Sequence, residues 1–95
     1  MKRVLLVEDD ELIAELERDF LEASNFQVEI ELDGERGLKK ALRGDYDALI
    51  LDVMLPKLSG FEVLRRLRRE SQMPVIMLTA RDTVVDKVSG LDMGA

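Results

Sequence analysis

Three short runs of unbroken apolar residues constrain this chain most: Val4-Leu5-Leu6-Val7, Ala48-Leu49-Ile50-Leu51 and Val75-Ile76-Met77-Leu78. Runs this short suit strands buried on both faces, and strands of that kind belong to parallel sheets. Each run ends abruptly on polar residues. The first stops at Glu8-Asp9, the second at Asp52 and the third at Thr79.

Helical spacing fills the intervals. Asp10 is placed to cap a helix whose apolar positions are Leu12, Ile13, Leu16 and Phe20, with Glu11 in the first turn where the helix dipole favours negative charge. Ser24-Asn25 ends it. From Gln27 to Leu32 the pattern alternates, with Val28, Ile30 and Leu32 on one side, which predicts a half-exposed edge strand. Asp33-Gly34 reads as a turn. Glu35 to Arg43 reads as a short helix with Leu38, Ala41 and Leu42 inward, stopped by Gly44. Ser59 caps a further helix with Phe61, Leu64 and Leu67 inward and Arg65, Arg66, Arg68 and Arg69 outward. Asp82 or Thr83 is expected to open a last helix containing Val84, Val85, Val88 and Leu91. The resulting order, β-α-β-α-β-α-β-α, predicts a parallel sheet with helices on both faces. No linker, repeat or low-complexity stretch divides the 95 residues, so one domain over 1–95 is expected.

Strands that run the same way finish at the same rim, and open parallel sheets build their sites there. Glu8, Asp9 and Asp52 then share a small volume with Thr79. Close carboxylates repel, and a hard divalent cation relieves the conflict. The chain has no His and no Cys, so a His general base, a Ser-His-Asp triad, thiolate sites and His-ligated zinc are excluded. Oxygen ligands alone remain, which points to magnesium, manganese or calcium. A phosphate on such a cation beside a free carboxylate is set up for in-line attack, with a hydroxyl such as Thr79 holding an equatorial oxygen. The net charge of −6 argues against direct nucleic-acid binding by these residues. The arginines after Phe61, at helical spacing beside Glu62 and Glu70, read as a solvated face. No segment approaches the ~18 consecutive apolar residues of a membrane span. The N-terminus lacks a cleavage site, and a cytoplasmic protein is expected.

Taken together, these segments resemble the receiver domain of two-component response regulators. The carriers are Val7-Glu8-Asp9-Asp10; Leu49-Ile50-Leu51-Asp52-Val53-Met54-Leu55-Pro56 followed by Ser59-Gly60; Pro74-Val75-Ile76-Met77-Leu78-Thr79-Ala80-Arg81; and Gly90-Leu91-Asp92-Met93-Gly94-Ala95. The resemblance covers the whole chain and implies a flavodoxin-like three-layer α/β/α fold. It implies Asp52 as phosphoacceptor, Asp9 as direct metal ligand, Glu8 as ligand through water, the Met54 backbone carbonyl as a further ligand and Thr79 as the phosphoryl-binding switch. The metal would be Mg2+ or Mn2+, and the donor a phosphohistidine on a sensor histidine kinase or a small acyl phosphate. The wording Met54-Leu55-Pro56 and Leu78-Thr79-Ala80-Arg81 resembles the OmpR-like subfamily. That implies transcription regulation through a winged-helix DNA-binding output domain absent from these residues.

The family pattern continues with a fifth strand, carrying a Lys that pairs with the phosphoryl group, and a fifth helix. Neither is found before Ala95. The fourth strand is therefore expected to be an open apolar edge and the sheet face beside the first helix to be partly bare. Self-association, as a homodimer or through that edge or face, or a loss of stability would follow. Lys57 lies in the loop after Asp52 and reads as solvated rather than as a replacement for that Lys. Two other functions use the same residues. A magnesium-dependent phosphohydrolase of the haloacid-dehalogenase type would need an acid at Met54, which cannot transfer a proton. A phosphorylation-independent interaction module would keep its partner after Asp52→Asn.

Overall fold

The computed structural model describes residues 2–55, 57–79 and 82–84, with side chains described as far as Leu78. Its elements are β1 (Lys2–Val7), α1 (Glu11–Ala23), β2 (Phe26–Glu31), α2 (Gly34–Arg43), β3 (Ala48–Asp52), α3 (Gly60–Leu67), β4 (Val75–Thr79) and β5 (Asp82–Val84). The sheet order is β2-β1-β3-β4-β5. β1 through β4 are mutually parallel, with Val7 opposite Leu51 and Asp52 opposite Leu78. The three apolar runs are the three central strands, and β2 is an edge strand, as their patterns predict.

Side chains alternate across the sheet. Leu5, Val7, Leu49, Leu51, Val75 and Met77 meet Ala41 of α2 and Val63, Leu64 and Leu67 of α3 in one continuous core. On the other face α1 lies over β2 and β1. Its inward residue is Ala14, above buried Val4 and Leu6. Past α1 this face is uncovered among the described residues. Leu6, Leu16, Glu17, Phe20, Leu21, Ile50 and Leu78 line an open groove of about 310 Å³.

The apolar row of α1 lies open, and two inward assignments in α2 and α3 are corrected. Leu12, Ile13, Leu16 and Phe20 are exposed, Phe20 by 74%. Of these, Leu16 and Phe20 line the groove, because only part of the α1 circumference meets the sheet. Leu42 and Phe61 are also exposed, while Gly37 and Val63 take the inward positions of α2 and α3. At Gly37 a Cβ would sit 2.6 Å from Val7 Cγ2, so glycine is what lets α2 approach β1. Asp33 does more than turn the chain. Its side chain accepts from the Arg36 N–H at 2.8 Å and caps α2.

The fourth helix is corrected at its start. Asp82–Val84 pairs antiparallel with β4, Leu78 opposite Val84 and Thr79 opposite Asp82. β-branched Thr83 and Val84 fit a pleated strand, and the pairing satisfies backbone groups on the outer side of β4. The expected open edge is thus occupied over these positions. Val85, Val88, Leu91 and the closing Gly90–Ala95 motif lie outside the described residues.

Candidate metal centre

β1 delivers Glu8 and Asp9, and β3 delivers Asp52, because Val7 and Leu51 are partners in the parallel ladder. The three carboxylates each present an oxygen, and these oxygens all lie within 4.8 Å of one another. Glu8 and Asp52 are buried, 8% and 5% exposed, while Asp9 is exposed at the mouth. Such a set, two sheltered carboxylates and one open to solvent, matches a hard cation with all-oxygen ligands.

Local hydrogen bonds orient the cluster. The Asp10 N–H donates to Glu8 Oε2 at 3.0 Å. The Asp10 side chain in turn accepts from the Leu12 and Ile13 N–H groups at 3.0 and 3.1 Å, which fixes the start of α1 immediately after the acidic pair. At β3, the Met54 N–H donates to Asp52 Oδ1 at 3.3 Å. The Val53 N–H donates to the Leu78 carbonyl at 2.8 Å, and the Val53 carbonyl accepts from the Gly60 N–H at 2.9 Å. A Cβ at residue 60 would lie 2.4 Å from the Asp52 carbonyl oxygen. Only glycine allows α3 to begin this close to the strand end. Ser59 caps that helix through the Glu62 N–H at 3.2 Å, as its position in the sequence predicts.

Burial pushes the Glu8 carboxyl up to about 7; the Asp10 N–H opposes the rise, and the nearby charge of Asp52 adds to it. Asp52 is also raised, first by burial, against the Met54 N–H, with Asp9 adding repulsion. Three acids held this close, with no cationic side chain among the described residues paired to them, favour a cation between them.

The remaining expected site residues fall around this cluster. The Met54 side chain is 70% exposed. Thr79 ends β4 beside Asp52's ladder partner, and its side chain lies outside the described residues. Lys57 is exposed, in a left-handed backbone conformation at φ 68°. Sequence reasoning missed Glu17. This half-buried residue of α1 contributes to the electrostatic burden on Glu8, and its own carboxyl is raised, first by burial and then by Asp52. The available signal was its spacing, since it lies four residues after Ile13 and four before Leu21, an acid inside an otherwise apolar helical row.

Comparison with known proteins agrees with this geometry. The response regulator receiver domain family matches residues 4–95. The transcriptional regulatory protein YkoG of Bacillus subtilis is 55% identical over 93 residues, covering 97% of this chain and 41% of that protein. The response regulator ArlR of Staphylococcus haemolyticus is 45% identical over the full 95 residues, which span 43% of its length. The chain thus spans about two-fifths of the length of these relatives. Among solved structures, the receiver domain of Francisella response regulator 1452 superposes with a TM-score of 0.87 at 31% identity, over 100% of this chain and 79% of that one. The response regulator TrrA of Thermotoga maritima, solved in complex with Mg2+ and BeF, superposes at 0.85 with 35% identity, over 96% and 80%. Sequence, sheet order and acidic rim together make this chain a member of the receiver domain family of two-component response regulators.

Proposed function

We propose that residues 1–95 act as one receiver unit in which Asp52 accepts a phosphoryl group. The carrying observation is the convergence of Glu8, Asp9 and Asp52, whose ligand oxygens lie within 4.8 Å of one another at the ends of β1 and β3. The donor set is all oxygen and fits Mg2+ or Mn2+. Asp9 and Asp52 would hold the ion directly, Glu8 through water, and the Met54 carbonyl would complete the protein share. When bound, the ion neutralises charge on the transferring phosphoryl oxygens.

The chain's own groups do the rest. An Asp52 carboxylate oxygen attacks phosphorus while the bond to the donor breaks, leaving an acyl phosphate on Asp52 and the electron pair on the donor nitrogen or oxygen. The Met54 N–H on Oδ1 holds the carboxylate in one orientation during the attack. The Thr79 hydroxyl would take one phosphoryl oxygen and respond to its arrival. The donor would be the phosphohistidine of a sensor histidine kinase, and where such a receiver is joined to a winged-helix domain its output would be control of DNA binding. The TrrA complex, with Mg2+ and BeF in a related receiver, supports the same use of the pocket.

Acetyl phosphate with Mg2+ tests this directly. Intact mass should show one added phosphoryl group, absent in Asp52→Asn. Mn2+ should broaden the amide resonances around residues 8, 9 and 52, and Asp9→Asn should abolish that broadening. Labelling that persists in Asp52→Asn would refute the assignment.

A further inference from the structure

The outer side of the α2–α3 layer carries a charge opposite to that of the molecule. Gly37 and Ala41 of α2 and Val63, Leu64 and Leu67 of α3 turn inward. At 3.6 residues per turn the opposite arcs belong to Arg36, Lys39 and Arg43 on α2, Arg65 and Arg66 on α3 and Arg69 just beyond it, and all six are exposed. The acids on these two helices are Glu35 and Glu62 alone. Glu62 holds Arg65 and Arg66, while Lys39, Arg43 and Arg69 have no ion-pair partner among the described residues. The two helices pack against each other, so their basic rows form one face. The acids behind the net charge of −6 gather elsewhere, with exposed Glu11, Glu15, Asp19 and Glu22 on α1, across the sheet. The molecule is 24 Å across at its narrowest, whereas salt screens charge over about 8 Å. A ligand on the α2–α3 face therefore meets a cationic surface. The whole-chain charge that argues against nucleic acid averages over two separate faces.

We propose that this face binds the phosphate backbone of duplex nucleic acid without reading its sequence. All of its cations but Lys39 are Arg, whose fork of donors matches phosphate oxygens. Each phosphate neutralised releases counterions, a gain that needs no apolar core. A contact with the acidic row of α1 on a second copy lacks that gain, and solvated ion pairs alone contribute little. Leu42 and Phe61 flank the basic arcs and do not interleave with them, so a lipid surface would gain little apolar insertion. Single strands want aromatic platforms, and no aromatic side chain stands among the six cations.

The test titrates the 95-residue chain into a fluorescently labelled DNA duplex of arbitrary sequence and follows its anisotropy. Affinity should fall steeply as salt rises from about 50 to about 200 mM, and equally for a second duplex of unrelated sequence. Lys39→Gln, Arg43→Gln and Arg69→Gln together should weaken binding at the lower salt at least about tenfold and reduce the slope of log affinity against log salt by about 2–3. These side chains are exposed, so circular dichroism and acetyl phosphate labelling should be unchanged, and failure here leaves the Asp52 assignment standing. Glu15→Gln with Asp19→Gln, on the opposite face, should leave the slope where it is. A duplex that stays free at the lower salt would overturn the proposal, as would an unaltered slope in the triple variant. So would binding to phosphatidylserine vesicles without binding to the duplex, or sedimentation in which the triple variant loses self-association while the duplex stays free.

Discussion

At the residue scale, two backbone positions carry more consequence than their side chains suggest. A Cβ at residue 60 would meet the Asp52 carbonyl, a backbone atom that cannot rotate away. Gly60→Ala should cost about 2 kcal/mol, read as a lowered denaturant midpoint, and should weaken Mn2+ binding because Asp52 must shift. Lys57 sits at φ 68°, where a residue with a side chain is strained. Lys57→Gly should raise stability by about 0.5–1 kcal/mol with no loss of phosphoryl labelling, since Lys57 is exposed. If labelling falls with it, Lys57 takes part in phosphoryl transfer, and its reading as a solvated residue is wrong.

At the element scale, α2 is tied to the β1–β2 edge by charge. Lys40 Nζ lies 3.1 Å from both Glu29 and Glu31, Arg3 pairs with Glu29 and Asp45, and the Tyr46 hydroxyl donates to Glu29 at 2.9 Å. Hydrogen bonds from Lys40, Tyr46 and Arg3 hold the Glu29 carboxyl at about 2, below its ordinary 4.5. A lowered carboxyl pKa contributes stability that is present above the unfolded value and lost as pH falls toward the folded one. Glu29→Gln should therefore destabilise at pH 7 and converge with the unaltered protein as pH drops from 4.5 to 2. The side chain is about one-third exposed, so solvent screening limits the pH 7 difference to about 1 kcal/mol. A difference that stays constant over that range would show that the loss is packing.

Elements were also where the sequence was most and least legible. Buried strands read clearly because unbroken apolar runs have no other use at that length, and their polar ends identified the acidic cluster. Asp10 and Ser59 read correctly as caps because capping is local chemistry. The inward faces of α1, α2 and α3 were harder, since helical spacing names a stripe but not how much of it a sheet can cover. Leu12, Leu16 and Phe20 are a genuine apolar row, and nothing in their spacing says that the described residues leave them bare. Gly37 carried no apolar signal at all, because its role is the absence of a side chain. Asp82–Val84 read as helix from a capping Asp, yet β-branched residues beside an unpaired strand formed a ladder instead.

At the scale of the whole molecule, the two sheet faces are unequal. The α2–α3 face is closed, with Leu49, Leu51 and Met77 at 0% exposure, whereas Ile76 on the α1 face is 41% exposed. Leu49→Ala should cost about 2–5 kcal/mol, seen as a large fall in unfolding midpoint. Leu16→Gln and Ile76→Thr should each change stability by no more than about 0.5 kcal/mol, while reducing the binding of an apolar dye. If Leu16→Gln proves as damaging as Leu49→Ala, the groove is closed in solution. The faces also divide labour. The closed one holds the acidic rim in register, and the other is left open among the described residues.

The carbonyl of Leu78, the amide of Val53, the carbonyl of Val53 and the amide of Gly60 form one unbroken hydrogen-bonded line across the rim. It couples the fourth strand to the first residue of α3 through the neighbour of Asp52. A change at that aspartate therefore cannot stay local. Amide exchange at positions 53 and 60 should slow in concert when the carboxylate is modified, as if one tensioned thread had been drawn tight at both ends.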